Sequence, residues 1–354
     1  MPTAPSFLIV SLRYIGDLFV TTALALSIKR RYPEARVEYL VFAGTEAALA
    51  KNPHVDKVNV IPRGSRSPLD AMRLFRKFDY ALATNPSDRT TIWATLAGRK
   101  TLGFTHRQRS EWWKPLLLTR TLLYDDRQHV VHQILSLLKP LGIPKVPEIT
   151  MYFDRADELY TQAKLPYSNY IVMHPYSRGP YKYWPAEKWG KLAWFVLAKT
   201  GCVPVFTVTG HTADREYLES VLAHAPEGCQ MFPEPFTLSQ LAAALHRSVM
   251  YVGIDTVVTH IAASVGTKVI AIFGPSFTRY WAPWPLDCTD VSPFAVNRGV
   301  QQVNNVTVVQ KDWNCVPCNK TFCRMSTRCR FECLEATEPA EVFNAMLRYL
   351  PALP

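Results

Sequence analysis

Apolar and polar positions divide the chain into short apolar runs and longer stretches with helical periodicity. Residues 6–12 form a mostly apolar run that leads to Gly16 and Asp17, and residues 18–31 carry apolar side chains at helical spacing until Pro33 stops them. Further strands are predicted at residues 37–42, 58–61 and 80–84. Strands that alternate with helices at this spacing indicate a parallel sheet covered by helices on both faces.

The same alternation restarts after a proline-rich stretch at residues 140–147, which indicates a second domain. Strands are predicted at 170–174, 203–208, 251–254 and 269–273, and helices at 186–200, 214–224 and 238–247. The sequence therefore predicts the α/β class, with one doubly wound parallel sheet in residues 1–165 and another in residues 166–336. A terminal helix in residues 337–354 completes the chain, with the option of crossing back to the first domain.

Basic and aromatic side chains interleave in residues 98–120, which the pattern predicts to be an exposed loop. Glu111 is the only acid among Arg99, Lys100, Phe104, Arg107, Arg109, Trp112, Trp113, Lys114 and Arg120. A loop of this composition can hold a charged amphipathic partner. The alternative is a solvated loop with tryptophan packed beneath it, since charge runs are usually plain surface.

Composition describes a globular protein large enough for two cores. The 354 residues are 48% hydrophobic and 19% charged, and no run of 18 or more apolar residues could span a bilayer. The first residues lack the basic region and cleavage site of a signal peptide, so a cytoplasmic protein is expected.

The net charge of +11 is spread unevenly along the chain. Residues 1–165 contain 24 Lys and Arg against 15 Asp and Glu, whereas the remaining residues contain 16 against 14. A basic first half favours an acidic partner, which is a nucleic acid, an anionic membrane, or a phosphorylated or carboxylated substrate.

The first strand is followed by a glycine and a carboxylate, Gly16 and Asp17, at the start of a helix. Ligands of open parallel sheets bind beyond the carboxyl ends of the strands. A carboxylate at a helix start is stabilised in its ionised form and can act as a general base. The alternative interpretation is that Asp17 is a plain helix N-cap.

Two loops of the predicted second domain carry donors for an anionic ligand. The first contains Ser177 and Lys182, and the second contains Thr209 and Gly210 just before a helix. Hydroxyls, an ammonium group and helix-start amides are the donors that phosphate needs. Either loop alone is weak support, because Ser, Thr and Gly occupy most turns of this kind.

A third strand end, at Asp255 and Thr256, opens another helix. Asp255 can bind hydroxyls, Thr256 and the neighbouring amides can bind phosphate oxygens, and His260 follows about one helical turn later. A lone histidine on a helix is more often a core residue than a ligand-binding one. Together with the two loops above, this strand end predicts a site for a nucleotide diphosphate.

Five of the eight cysteines lie close together in the sequence, and they are Cys315, Cys318, Cys323, Cys329 and Cys333. Their spacing would satisfy a four-thiolate zinc site, and nearby Lys and Arg side chains would offset the thiolate charge. Reduced thiols, a labile disulfide and an iron-sulfur cluster are the alternatives.

Several of these motifs, taken together, resemble glycosyltransferase family 9, the bacterial ADP-heptose:lipopolysaccharide heptosyltransferases. The matching motifs occur in family order, as Arg13 to Asp17, Asn52 to Asp56, His174-Pro175 with Lys182 to Pro185, Gly210 with Asp214-Arg215, Leu238 to Leu241, and Asp255-Thr256 through His260 to Pro275. The chain is most similar to the branch that adds the later, side-branch heptose of the inner core. The cysteine pattern also resembles one found in part of the family.

The resemblance implies two facing Rossmann-like domains in the GT-B arrangement, with the acceptor on the first domain and the nucleotide sugar on the second. It implies an inverting, metal-independent hexosyl or heptosyl transferase that moves heptose from ADP-heptose to the inner core of lipopolysaccharide. The acceptor carries Kdo carboxylates and phosphates, which matches the basic first half. The enzyme is expected in the cytoplasm, peripheral on the anionic inner face of the inner membrane, with no nucleic-acid partner and no required cofactor.

Individual roles follow from the same resemblance. Asp17 matches the general base, Lys182 the lysine that holds the diphosphate, and Ser177 a phosphate-binding hydroxyl. Asp255, Thr256 and His260 match the donor-sugar and phosphate motif. Thr209 and Gly210, from the loop that precedes helix 214–224, are also predicted to bind the donor. The predicted acceptor-binding cations are Arg13, Arg89, Arg107, Arg109 and Lys114. The sequence departs from the family at Val257, where most members have glycine.

Two other functions remain compatible with the sequence. One keeps the fold and mechanism but uses another nucleotide sugar or acceptor. The other is a catalytically silent protein that binds nucleotide or nucleic acid, which the basic charge suggests. Release of ADP from ADP-heptose in the presence of a core acceptor separates both from the leading hypothesis.

Overall fold

The computed structural model of the chain describes residues 4–64, 72–106, 108–325 and 331–350. The chain divides into two compact units, Met1–Met151 and Tyr152–Pro354. The sequence placed this boundary 14 residues later, after residue 165. Helix Arg155–Lys164 accounts for the difference, because it packs against helix Leu238–Arg247 of the second unit.

The first unit is built on six parallel strands in the order β3-β2-β1-β4-β5-β6. Their bounds are β1 Ser6–Ser11, β2 Arg36–Phe42, β3 Lys57–Ile61, β4 Phe78–Ala83, β5 Gly98–Thr105 and β6 Arg120–Leu123. Strand order reverses between β1 and β4, which makes their carboxyl ends a topological switch point. Ligands of doubly wound sheets bind at such points, so the loop that carries Asp17 is well placed for a substrate.

The second unit has a seven-stranded sheet in the order β12-β13-β11-β10-β7-β8-β9, and the five strands from β9 to β11 repeat the order of β3-β2-β1-β4-β5. Its strands are β7 Tyr170–His174, β8 Val203–Phe206, β9 Gln230–Met231, β10 Met250–Ile254, β11 Val269–Ile272, β12 Val300–Val303 and β13 Val306–Val309. Only β12, at one edge, runs antiparallel among these described strands. The switch point lies between β7 and β10, which are followed by the Lys182 loop and by Asp255.

Helices cover both sheets, and the two cores lie between helices and strands. The helices are Ile15–Phe19, Thr22–Arg31, Asp88–Ala97, Lys114–Leu117, Val130–Leu135, Arg155–Lys164, Ala186–Thr200, Thr212–Leu222, Leu238–Arg247, Val257–Ser264, Thr278–Trp281, Glu332–Glu335 and Pro339–Met346. Short 3-10 turns occur at Glu46–Leu49, Arg109–Glu111, Ser136–Leu141 and Pro180–Lys182. No helix among the described residues is long and apolar enough to cross a membrane.

The predicted α/β class with two parallel sheets is confirmed. Helix Pro339–Met346 packs against helix Ala186–Thr200 and strands β11 and β13, so this part of the terminal helix stays on the second sheet and does not cross back. The prediction of a single loop at residues 98–120 is wrong, because β5 begins at Gly98 and β6 at Arg120. Buried Phe104 belongs to β5 and not to an exposed loop.

Candidate active site

Three neighbouring strands of the second sheet place polar side chains at one corner. Lys182 lies in the loop after β7, Asp255 directly follows β10, and Ser276 follows β11. β7 and β11 flank β10 and all three strands are parallel, so their carboxyl ends meet at the same edge. This corner coincides with the switch point of the sheet, where ligands of doubly wound folds bind.

A short ion pair joins the corner. The Lys182 Nζ donates to Asp255 Oδ2 at 2.6 Å, and the Ser276 hydroxyl donates to the same oxygen at 2.6 Å. Burial alone would raise the pKa of Asp255, but the Lys182 ammonium and the hydrogen bonds from Lys182 and Ser276 hold that pKa below its ordinary value. The corner therefore contains an ionised carboxylate and a cation held beside it.

His260 lies one turn into the helix that follows Asp255, and its side chain is buried. Burial lowers the pKa of His260 to about 4, against the opposing pull of the Asp255 charge. The imidazole is consequently neutral at neutral pH. Its Nδ1 atom has no hydrogen-bond partner among the described residues. Buried polar atoms are nearly always paired, so an unpaired nitrogen beside this corner indicates a place for a ligand atom.

The start of helix Val257–Ser264 points its first amides at the same corner. Thr256 is the N-cap with an extended backbone, and its hydroxyl makes no capping hydrogen bond. Val257 is the first helical residue, so replacing the usual glycine leaves a helix N-terminus in place. Unsatisfied amides and the helix dipole favour an anion at this position.

The Ser177 hydroxyl is engaged within its own loop, where it donates to the Gly179 carbonyl at 3.0 Å. The adjacent His174 is buried, and its Nδ1 lies 2.8 Å from the Thr207 hydroxyl. Burial lowers the pKa of His174 to about 4, so this residue is neutral and fixes the ends of β7 and β8 together. Ser177 lies five residues before Lys182 in the same loop.

Asp214 organises the loop after β8. It accepts hydrogen bonds from the Thr209 hydroxyl at 2.7 Å and from the Tyr183 hydroxyl at 2.7 Å. Because Tyr183 directly follows Lys182, these bonds connect the β8 loop to the β7 loop. Gly210 is exposed, with open space where a Cβ would lie, so the backbone there is accessible to a ligand.

A cavity of about 440 Å³ opens beside the same β7 loop. Its aromatic lining consists of Tyr181, Tyr183, Trp184, Tyr217 and Phe331. Neither Lys182 nor Asp255 contributes to the lining, so this cavity is not the corner that these two residues form.

Asp17 lies in the first turn of helix Ile15–Phe19, at the switch point of the first sheet. The N-cap of this helix is Tyr14, so the interpretation of Asp17 as a plain N-cap is wrong. The Asp17 Oδ1 lies 3.8 Å from Arg13 Nε, and the aspartate side chain remains about one-fifth exposed. The Asp17 carboxylate is therefore partly accessible to solvent beyond the end of β1.

Two further arginines lie beside this loop. The guanidinium of Arg63 stacks over the Tyr14 ring at 5.9 Å and over the Phe42 ring at 5.6 Å, and that of Arg89 stacks over Phe42 at 5.5 Å. Arg89 also donates to the Arg63 carbonyl at 2.9 Å. Arg63 was not predicted from the sequence. The arrangement gathers exposed cations around the switch point that carries Asp17.

The other predicted acceptor-binding cations differ in their exposure to solvent. Lys114 is buried and paired with Glu111 and Asp88, so we withdraw it from the acceptor-binding set. Arg109 is exposed on the 3-10 turn next to it. Arg107 lies outside the described residues.

A comparison with protein-family models places this site in context. The model for glycosyltransferase family 9 (heptosyltransferase) matches residues 72–313, which is more than half of the chain. The chain belongs to glycosyltransferase family 9. The family that the sequence motifs resemble is thereby confirmed, and the protein is a glycosyltransferase.

Relatives within glycosyltransferase family 9 cover most of the chain. Lipopolysaccharide heptosyltransferase 3 of Escherichia coli K12 is 25% identical over 299 residues, which cover 77% of this chain and 83% of that protein. A family member from Veillonella parvula is similar in structure, with a TM-score of 0.77, 18% identity, and coverage of 99% and 98% of the two chains. An E. coli heptosyltransferase solved with ADP gives a TM-score of 0.71 at 17% identity, covering 97% and 99%.

Two residues that contact the candidate site residues or their loops, Ser276 and Arg63, were not predicted from the sequence. Ser276 follows Gly274-Pro275 at the end of an apolar run, and that position was the available signal for it. Arg63 follows the third strand in the same way, just after Pro62. Both lie beyond strand ends, where side chains from separate parts of the chain converge only after the sheet has formed.

The cysteines do not support the predicted zinc site. Among the residues that the structure describes, no group of three or more His, Cys, Asp or Glu side chains could hold a metal ion, and Cys329 lies outside them. Cys315, Cys318, Cys323 and Cys333 are free. Burial, followed by the charges of the three neighbouring cysteines, raises the pKa of Cys333 to about 12, so this residue is a protonated thiol at neutral pH.

Proposed function

We propose that this family 9 glycosyltransferase moves heptose from ADP-heptose to the inner core of lipopolysaccharide. The observation that carries the proposal is the corner formed by Lys182, Asp255 and Ser276, with the neutral His260 beneath it. A cation, a helix N-terminus and an unpaired imidazole nitrogen suit a sugar diphosphate. The solved relative with ADP and the curated heptosyltransferase 3 support the donor and the acceptor class.

The second unit holds the donor in this proposal. Lys182 and the first amides of helix Val257–Ser264 bind the diphosphate, Thr256 contributes its hydroxyl, and Asp255 binds hydroxyls of the sugar. Thr209, Gly210 and Ser177 complete the donor site from the neighbouring loops. As the bond from the anomeric carbon to the diphosphate breaks, Lys182 and the helix amides stabilise the negative charge that develops on ADP.

The first unit activates the acceptor. The acceptor hydroxyl attacks the anomeric carbon from the face opposite to ADP, so the configuration inverts. Asp17 takes the proton of this hydroxyl, and ADP leaves with the electron pair of the broken bond. Lys182 and the helix amides compensate the negative charge on the departing ADP, which other transferases compensate with a metal ion. This agrees with the metal-independent chemistry of the family.

Acceptor recognition is assigned to exposed cations of the first unit. Arg13, Arg63 and Arg89 surround the Asp17 loop and suit the carboxylates and phosphates of an inner-core acceptor. Arg109 is a further candidate on the same unit. A lipid-anchored acceptor places the enzyme at the cytoplasmic face of the inner membrane, as a peripheral protein.

Release of ADP tests the function directly. Purified protein, ADP-heptose and heptose-truncated lipopolysaccharide are expected to yield ADP, and the product to gain one heptose by mass spectrometry. Absence of ADP release with every core acceptor would overturn the proposal. Turnover with a different nucleotide sugar and not with ADP-heptose would favour another donor on the same fold.

The Asp17→Asn variant tests the general base. Its kcat is expected to fall by about 10²–10⁴ because the acceptor hydroxyl loses its proton acceptor. Binding of ADP, measured by calorimetry, should not change, since Asp17 makes no part of the donor corner. Glu46→Gln changes another exposed carboxylate in a first helical turn of the same unit and is the matched control. Near wild-type turnover of Asp17→Asn would contradict the assignment.

A further inference from the structure

Residues 109–117 show an inverted distribution of side chains. Trp112 and Leu116 are 70% and 73% exposed. In contrast, Glu111, just before Trp112, is 8% exposed, and Lys114, between the two apolar residues, is 1% exposed. Charged side chains are rarely buried unless they are paired, and large apolar side chains usually face the core. The segment therefore turns its apolar side outward and its charges inward.

The buried charges attach this segment to the loop after β4. Lys114 Nζ donates to Glu111 at 2.6 Å, lies 3.2 Å from an Asp88 carboxylate oxygen, and donates to the Pro86 carbonyl. Glu111 in turn accepts a hydrogen bond from the Thr105 hydroxyl at 2.7 Å and one from the backbone amide of residue 106. The Lys114 and Thr105 bonds, together with the backbone amide, hold the Glu111 pKa below its ordinary value against the effect of burial.

This network fixes which side of the segment faces solvent. Trp112 and Trp113 both have helical backbone angles and lead into helix Lys114–Leu117, so Trp112 and Leu116, four residues apart, share one face. Leu117 on the same helix is also exposed. Exposed apolar patches of this kind commonly mark sites of interaction with a partner or a membrane.

The surroundings of the face are basic. Arg109 begins the segment and Arg120 follows it, and both side chains are exposed. The segment is also bonded to the β4 loop, whose Asp88 directly precedes the acceptor-side Arg89. Tryptophan and leucine flanked by arginine is the composition of surfaces that lie in the interface of an anionic bilayer.

We propose that residues 109–117 dock the enzyme on an anionic lipid bilayer, with Trp112 and Leu116 in the interfacial region and Arg109 and Arg120 at the headgroups. The inference rests on the proposed function for its purpose, because docking beside Arg89 brings the acceptor-binding cations to a lipid-anchored substrate. The docking itself is tested by binding to lipid vesicles, which does not require the enzyme to turn over.

Vesicle co-sedimentation tests the docking surface. Wild-type protein is expected to bind vesicles of phosphatidylethanolamine and phosphatidylglycerol more tightly than phosphatidylcholine vesicles, and to lose binding as salt is added. The double variant Trp112→Ser with Leu116→Gln should bind the anionic vesicles at least about tenfold more weakly than the wild type, because both apolar anchors are removed. Trp194→Ser, which removes a half-exposed tryptophan of the second unit, is the matched control and should bind as wild type does.

Two readouts separate this inference from the proposed function. With a delipidated core oligosaccharide as acceptor, the double variant should release ADP at the wild-type rate, because neither side chain belongs to the site. If the wild type releases no ADP but docks, the function fails and the docking stands. Equal vesicle binding by wild type and double variant would overturn the docking proposal. The docking proposal would also be overturned if light scattering showed a wild-type dimer that the double variant abolishes. The apolar face would then be the interface between two copies of the chain.

Discussion

At the scale of single residues, the donor corner depends on one carboxylate oxygen. Asp255 Oδ2 accepts from both Lys182 and Ser276 at 2.6 Å, within a partly buried environment. Removing either donor leaves the carboxylate less compensated. On the proposed function, Ser276 is a positioning residue, because it acts on Lys182 through Asp255.

The Ser276→Ala variant should weaken ADP binding by about five- to thirtyfold, which corresponds to the loss of about 1–2 kcal/mol. Without the hydroxyl, Asp255 holds the Lys182 ammonium more strongly and less of its charge is available to the diphosphate. Isothermal titration calorimetry with ADP measures the change. Ser220→Ala, which alters an exposed serine whose hydroxyl donates to the Tyr217 carbonyl of its own helix, should bind ADP as the wild type does. An unchanged affinity in Ser276→Ala would rule out this role.

The sequence predicts the corner better than the cations of the first unit. Lys182, Asp255 and His260 each follow a predicted strand, and the rule that strand ends carry ligands identifies them. Lys114 was misassigned because a basic residue in a basic run gives no sign of its burial. Glu111, three residues earlier, was the available signal, since that spacing pairs charges on one helical face.

At the scale of elements, the segment from β5 to β6 differs most from what the sequence predicts. Gly98–Thr105 contains Arg99 and Lys100 at its start, and these exposed charges conceal a strand whose remaining residues are buried. Helix Arg155–Lys164 was missed for a related reason, since only a few of its residues are buried. Elements with a continuous apolar signal, such as Ala186–Thr200 and Leu238–Arg247, were predicted with their observed bounds.

The Lys114→Met variant should lower the free energy of unfolding by about 3 kcal/mol, because it leaves the buried Glu111 carboxylate without its ammonium partner. Urea denaturation measures the loss. Adding Glu111→Gln should restore part of it, since the uncompensated charge is removed. Arg109→Met, at an exposed arginine of the same segment, is expected to change stability by less than about 0.5 kcal/mol. Equal stabilities of Lys114→Met and Arg109→Met would contradict the buried pair.

At the scale of the whole molecule, the two units share the order of five strands and place their candidate residues at equivalent switch points. This repetition could be predicted from the restart of the strand and helix pattern after the prolines. The order of the strands could not, because pairing between distant runs such as β1 and β4 leaves no local mark in the sequence. The resemblance to glycosyltransferase family 9 implies a specific arrangement of two Rossmann-like domains, which the periodicity alone does not give.

Stability of the second unit should fall as the pH drops from about 6.5 towards about 4. Burial lowers the pKa of both His174 and His260 to about 4 in the folded state, so the unfolded chain binds protons first and is favoured in this range. Thermal unfolding between pH 7.5 and 4.5 measures the slope. His174→Gln should make it shallower, while His106→Gln at an exposed histidine of the first unit should not. A flat profile in the wild type would contradict the prediction.

The ion pair between Lys182 and Asp255 has a consequence for the selection of ligands. On the proposed role, Asp255 is an internal competitor that occupies the lysine until a stronger anion arrives. Inorganic phosphate offers charge but no sugar hydroxyls for Asp255, so it must break the pair without compensation. A nucleotide sugar exchanges one partner for another at both residues. The ion pair in the ligand-free protein thus disfavours the binding of small anions relative to a nucleotide sugar.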